Sequence, residues 1–147
     1  MSPKPHALRI ERWFDAPRDV VYRAWTDRNE LGQWYHFNDD WKIVEVEADV
    51  RVGGKFLVGW RAPDGQLWYE RGEYQEVTPL ERLVHTCRFD FPDFDEDETL
   101  LTVEFREQDG GTLLILVQEG YKHAEHRDGH QQGWPGFLDQ LVRHLRL

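Results

Sequence analysis

The sequence predicts an α+β fold, a curved antiparallel sheet of about seven strands wrapped around a long C-terminal helix, with two short helices after the first strand. Two observations predict it. Apolar residues alternate with period two through most of the stretch from Trp41 to Glu119, broken by turn residues. Beyond it Trp134, Phe137, Leu138, Leu141, Val142 and Leu145 recur at i, i+3, i+4, i+7, i+8 and i+11, the broad apolar face of an amphipathic helix. A sheet with one apolar face must cover that face, and the last helix is the only long one available to do so.

In chain order, Ala7 to Phe14 reads as a strand, with Leu8, Ile10 and Arg12 alternating against Arg9 and Glu11. Pro17 supplies a helix first-turn position and Asp19 a favourable charge beside it. Val20, Val21, Ala24 and Trp25 then fall on one helical face. Asp27 with Glu30 reads as a capping box for a second, shorter helix carrying Leu31, Trp34 and Tyr35. Ile43, Val44 and Val46 mark the next strand, and Val52-Gly53-Gly54 a bend. Phe56, Val58 and Trp60 alternate with Lys55, Leu57 and Gly59 before a turn at Pro63-Asp64-Gly65. Strands follow over Leu67 to Val77 and Arg82 to Phe91, joined by Thr78-Pro79-Leu80-Glu81. Leu101, Val103 and Phe105 lie on another, and a hairpin turn at Asp109-Gly110-Gly111 leads into the last, Thr112 to Glu119. Pro135 leaves the start of the final helix open: either it begins near Trp134, or an earlier helix is kinked there.

At 147 residues the chain is of ordinary size for one domain and long enough to bury a core without disulfides or metal. A net charge of −10 disfavours nucleic acid and anionic membrane as partners. One cysteine, Cys87, excludes an internal disulfide. The N-terminus lacks the apolar stretch of a secretory signal, and the longest aliphatic run, Leu113 to Val117, falls far short of the ~20 residues that span a bilayer. A cytoplasmic location is expected. No phosphate-cradling glycine loop, nucleophile elbow or paired Cys-x-x-Cys occurs. Aromatic residues make up 14% of the chain, which fits either a core built of large side chains or a ring-lined cavity.

The stretches FDAPRDVVYRAWTD (Phe14–Asp27), QWY (Gln33–Tyr35), VRVGGKF (Val50–Phe56), DG (Asp64–Gly65), RGEYQEVTPLERLVHT (Arg71–Thr86), GGT (Gly110–Thr112) and GW…LDQL (Gly133–Leu141) follow one another in a familiar order. Together with the element order they resemble the START-like, helix-grip superfamily. The nearer resemblance is to the branch related to the C-terminal domain of the heat-shock-protein ATPase activators, the AHSA1-like domains. The likeness covers nearly the whole chain as one domain and implies a cavity between sheet and helix. It departs at Arg28, where the family often has proline, and at Pro135, inside the family's C-terminal helix. Eukaryotic activators carry a separate N-terminal domain with no counterpart here, so chaperone activation is not expected to carry over whole. Gly53-Gly54 fits a strand bend, and Gly72 suggests close approach of another group, expected to be the C-terminal helix.

Strand alternation assigns the candidate cavity residues. Phe56, Val58, Trp60, Trp68, Glu70, Tyr74, His85, Cys87, Phe105, Leu116 and Gln118 come from the sheet, in the company of Leu83, Phe89, Leu101, Val103 and Leu114. Trp25 and Trp34 come from the short helices, and Trp134, Phe137, Leu138 and Leu141 from the long one. The polar members are Glu70, His85, Cys87 and Gln118. A His85–Glu70 pair in a desolvated cleft would suit general acid/base chemistry, whereas two satisfied core residues would be inert. Cys87 reads as a buried, inert thiol. His123, His126 and His130 have a spacing that would align three imidazoles on one helix face, but the expectation is a solvated helix start and no metal. The run Asp90, Asp93, Asp95, Glu96, Asp97 and Glu98 lacks the glycine and terminal glutamate of a calcium loop and reads as a solvated hairpin loop. The expected function is binding of a small hydrophobic or aromatic molecule, with no cofactor and no assigned catalysis. The alternatives are a chaperone-associated protein-interaction module, or an enzyme using the same cavity. Monomer and homodimer are both open.

Overall fold

The computed structural model describes residues 6–90 and 98–147. Its elements are β1 (His6–Phe14), α1 (Arg18–Thr26), α2 (Arg28–Trp34), β2 (Lys42–Ala48), β3 (Lys55–Arg61), β4 (Leu67–Thr78), β5 (Arg82–Asp90), β6 (Thr99–Gln108), β7 (Gly111–Tyr121) and α3 (Ala124–Leu145). The seven strands form one sheet in the order β1-β7-β6-β5-β4-β3-β2, every neighbouring pair antiparallel. From β2 to β7 each strand pairs antiparallel with the next in sequence, whereas β1 is carried by α1 and α2 to the far edge and pairs with β7. The fold class is the one the sequence predicts.

Turn chemistry sets the register. At the β6–β7 hairpin Asp109 and Gly110 both take positive φ, 52° and 77°, the two-residue geometry that matches strand twist. Gly54 sits where a Cβ would lie 1.9 Å from the Asp49 carbonyl oxygen, which fits the expected bend. Gly72 is excluded from a side chain for a different reason than expected. The group against it is the Thr86 carbonyl oxygen of the neighbouring strand, 1.8 Å from a built Cβ, and not the C-terminal helix.

Asp27 caps α2 by accepting from the backbone N–H groups of Asn29 and Glu30, at 2.8 and 3.1 Å. The reciprocal half of a capping box is replaced: the Asp27 N–H donates to the Arg23 carbonyl, and Glu30 instead accepts from the Arg23 guanidinium and contacts His144 of α3. Glu30 therefore ties all three helices together.

Helix α3 begins at Ala124, ten residues before Trp134, so Pro135 lies within it. Pro135 cannot donate to the Gln131 carbonyl, and both residues are exposed, so the lost bond falls on the solvent flank. The opposite flank buries Trp134, Leu138 and Leu141. The helix lies closest to β1, β7 and α2. Arg12 of β1 bonds Asp139 at 2.6 Å, and Arg127 donates to the Ala7 carbonyl at 3.2 Å. The sheet's inner face supplies Phe56, Val58, Trp60, Tyr74, Phe105 and Leu116 to the same core. Because α3 is held toward the β1–β7 side, the space opposite β3, β4 and β5 is closed less tightly.

Candidate functional site

In β4, Glu70 falls on the inward parity and is only 2% exposed. A carboxylate taken out of water must recover hydrogen bonds from the protein. Tyr35 donates its hydroxyl to both Glu70 oxygens at 3.2 Å, and the Cys87 thiol donates to Oε2 at 2.8 Å. Burial, then the charge of Glu70 beside it, pushes the Tyr35 hydroxyl well above its ordinary range, so it stays a donor. Tyr35 follows the last residue of α2, and Trp60 Nε1 donates to its backbone carbonyl at 2.8 Å, fixing it to β3.

A second polar chain enters from β7. Trp134 Nε1 donates to Gln118 Oε1 at 2.9 Å, and Gln118 Nε2 donates to Thr99 Oγ1 at 2.9 Å. Thr99 in turn donates to the Cys87 carbonyl at 3.3 Å. These bonds fix the Gln118 amide and lock α3 to β7, β6 and β5 through one line of contacts.

These groups surround an inner cavity of about 80 Å³, lined by Tyr35, Glu70, Cys87, Phe89, Gln118, Gly129, His130, Gly133, Trp134 and Phe137. Phe89, His130 and Phe137 are also walls of an outer cavity of about 230 Å³, completed by Phe37, Trp41, Trp60 and Trp68. In the outer cavity Trp60 stacks near Phe89 at 6.1 Å, and Trp41 meets Trp68 edge-on at 6.1 Å. Two larger depressions, of about 490 and 400 Å³, are lined mainly by exposed polar and charged residues. The aromatic pair of cavities has the character of a small-molecule site: apolar walls with a few convergent polar groups.

The predicted cavity residues divide three ways. Glu70, Cys87, Gln118, Trp134 and Phe137 line the inner cavity, and Trp60, Trp68 and Phe137 the outer one. Trp25, Trp34, Phe56, Val58, Tyr74, Phe105, Leu116, Leu138 and Leu141 pack into the core and line neither. His85 is also apart. Its ring stacks on Phe56 at 4.4 Å, its Nδ1 bonds the Thr86 carbonyl at 2.7 Å, and across the strands it faces Tyr74, whereas Glu70 faces Phe89. The acid/base pair of Glu70 and His85 is therefore not formed. Burial lowers the His85 pKa to about 4, which keeps the ring neutral.

Sequence reasoning left Tyr35, Phe37, Trp41, Gly129 and Gly133 out of the site. Tyr35 caps a helix and Phe37 and Trp41 lie in the following loop, where no periodicity reports which way a side chain points. His130 belongs to the site as a wall residue, its Nδ1 2.5 Å from the Tyr121 hydroxyl oxygen. The His123 and His126 rings meet edge-on with centroids 5.0 Å apart. Among the described residues no group of three His, Cys, Asp or Glu is placed to hold a metal. Asp93, Asp95, Glu96 and Asp97 of the acidic run lie outside the described residues, while Asp90 pairs with Arg71.

Residues 15–146 match the family model described as Activator of Hsp90 ATPase homolog 1-like protein. The chain belongs to this family. Solved structures agree with the assignment. Protein CV1439 from Chromobacterium violaceum is 31% identical, with a TM-score of 0.83 over 93% of this chain and 94% of that one. An uncharacterised protein from Rhizobium leguminosarum, 26% identical, superposes with a TM-score of 0.84 over 96% and 94%. The AHSA1-like protein from Aeromonas hydrophila, at 24% identity, has the same fold, with a TM-score of 0.82 over 96% and 92%. Among proteins of curated function, none matches the sequence significantly. This AHSA1-like chain, in its described residues, has no helix long and apolar enough to cross a membrane.

Proposed function

We propose that this AHSA1-like chain binds one small aromatic molecule of one or two rings between its sheet and α3. The observation supporting this is the outer cavity of about 230 Å³, whose seven wall residues are Phe37, Trp41, Trp60, Trp68, Phe89, His130 and Phe137. A dry apolar cavity of about 150 Å³ is enough to hold benzene, so this one suits a slightly larger flat ring. Burying such a ring removes about 200 Å² on the ligand and a similar area on the walls. At about 25 cal/mol per Å² that is about 10 kcal/mol, against at least about 4 kcal/mol for lost freedom, which corresponds to a Kd of tens of micromolar. Catalysis is not part of the proposal, since His85 lines neither cavity.

Calorimetric titration with indole and with 2-naphthol tests it. Saturable binding at one site per chain is expected, with Trp68→Ala weakening it at least fivefold and Leu80→Ala, on a distant turn, leaving it unchanged. Absence of saturable heat up to the solubility of both compounds would overturn the proposal, as would a Trp68→Ala protein that binds as well as the parent.

A further inference from the structure

Two walls of the outer cavity, Phe37 and Trp41, lie in residues 36–41, the connection from α2 to β2; the remaining described walls stand on β3, β4, β5 and α3. The connection is anchored at both ends. Before it, Trp34 and Tyr35 are buried, with Trp34 Nε1 donating to the Ala24 carbonyl at 2.7 Å and Trp60 Nε1 to the Tyr35 carbonyl at 2.8 Å. After it, Lys42 pairs with Arg61 in the sheet. Between the anchors the hydrogen bonds turn inward. The Asn38 side chain accepts from the Asp40 N–H at 2.9 Å, and its carbonyl accepts from the Trp41 N–H at 3.1 Å and bonds His36 Nδ1 at 2.7 Å. A segment bonded mainly to itself opens at lower free energy than the framework that carries it. Two contacts join it to α3. One is the exposed ion pair of Asp39 with Arg143, at 3.3 Å. The other is a seat: a Cβ built on Gly136 would lie 2.8 Å from two Phe37 ring carbons and 2.9 Å from the Phe37 carbonyl oxygen. Glycine disfavours a helix relative to alanine, and the close approach of Phe37 is what this one accommodates. Phe37 is 41% exposed and Trp60 of β3 only 3%, so lifting the connection uncovers far less buried surface than moving the sheet wall.

We infer that residues 36–41 form a strap that gates the outer cavity, seated on Gly136 and tethered by Asp39 to Arg143, and that a ring enters and leaves when the strap lifts from α3. This rests on the ring-binding function proposed above and adds the route by which that site fills. Tyr35 and Lys42 stay with the core as hinges, while Phe37 and Trp41 swing together and carry two walls of the cavity with them. Asp39 and Arg143 are not walls. Their pair holds the strap down equally with and without a ring beneath it, so it sets rates and not affinity. Weakening it raises the open fraction of both forms and speeds entry and exit by the same factor. A fixed wall would show neither change. Both partners of the pair are exposed, so salt weakens it as well.

The test is a titration of the full-length chain with 2-naphthol, in which line shapes of the tryptophan side-chain N–H signals give Kd and both rate constants. Asp39→Ala is expected to raise the association and dissociation rate constants together by about threefold, with Kd within about twofold of the parent. Added salt should speed exchange in the parent and leave Asp39→Ala unchanged. Gly136→Ala fills the seat, displaces Phe37 and should raise the dissociation rate constant by about tenfold. If 2-naphthol binds but Asp39→Ala alters neither rate constant, or only one of them, the connection is a fixed wall; the gate is then wrong while the ring-binding function stands. A Gly136→Ala protein that exchanges 2-naphthol at the parent's rates would overturn the gate too. If 2-naphthol does not bind, the ring-binding function is wrong and the gate falls with it. If Gly136→Ala does not fold, Asp39→Ala decides the matter by itself.

Discussion

Glu70 and His85 sit on adjacent inward-facing strands, yet their surroundings send them to different ends. Glu70 lines the inner cavity, whereas His85 is closed in by Phe56, Tyr74 and its own backbone neighbour. The consequence for His85 is a pH-dependent contribution to stability. Its folded pKa of about 4 lies below the unfolded value of 6.5, so between these pH values the unfolded chain binds the extra proton. Stability from this residue is full above pH 6.5 and is lost as pH falls toward 4, by up to about 3 kcal/mol. Replacing His85 by Asn keeps a donor for the Thr86 carbonyl and removes the titration. Denaturant unfolding of both proteins from pH 7 to pH 4 should show the parent losing more stability by that amount. At this scale, parity alone placed Glu70, Cys87 and Gln118 inward, because inward and outward are the only choices on a strand. It could not tell a cavity wall from a packed core residue, which is why Phe56, Val58 and His85 were grouped with Glu70.

At the scale of elements, α3 both closes the core and leaves the site open. Gly129 and Gly133 stand four residues apart on one face, both line the inner cavity, and an added Cβ at either would meet nothing within 4 Å. Each costs the helix about 1 kcal/mol relative to alanine. Gly133→Ala should therefore raise the melting temperature by about 3 °C, which thermal melts measure. The start of this helix was not legible in the sequence. Gly129, Gly133 and Pro135 all argue against a helix locally, and the burial of Trp134, Leu138 and Leu141 over a continuous face outweighs them. The hairpins were legible because their turn residues have one favoured geometry, as Asp109-Gly110 shows with its two positive φ values.

For the molecule as a whole, the sheet order runs from β1 to β2 with α3 set toward the β1 side, so the two edges of the sheet are unlike. Trp41, Trp60 and Trp68 gather near the β2–β3–β4 side, whereas Trp13 lies on β1, 42% exposed, with its ring nitrogen bonded to the Gln108 carbonyl. The element order pointed to a cleft, whereas the aromatic richness fitted a packed core equally. The cleft's position at one side depends on where α3 settles, which no local pattern encodes. This asymmetry makes the tryptophans built-in reporters of where a ligand sits. The most direct measurement is a two-dimensional ¹H–¹⁵N spectrum of the tryptophan side-chain N–H groups during titration with 2-naphthol. Saturable shifts at Trp41, Trp60 and Trp68 with Trp13 unmoved are expected; shifts that include Trp13 equally, or that never saturate, would contradict a ligand site between the sheet and α3.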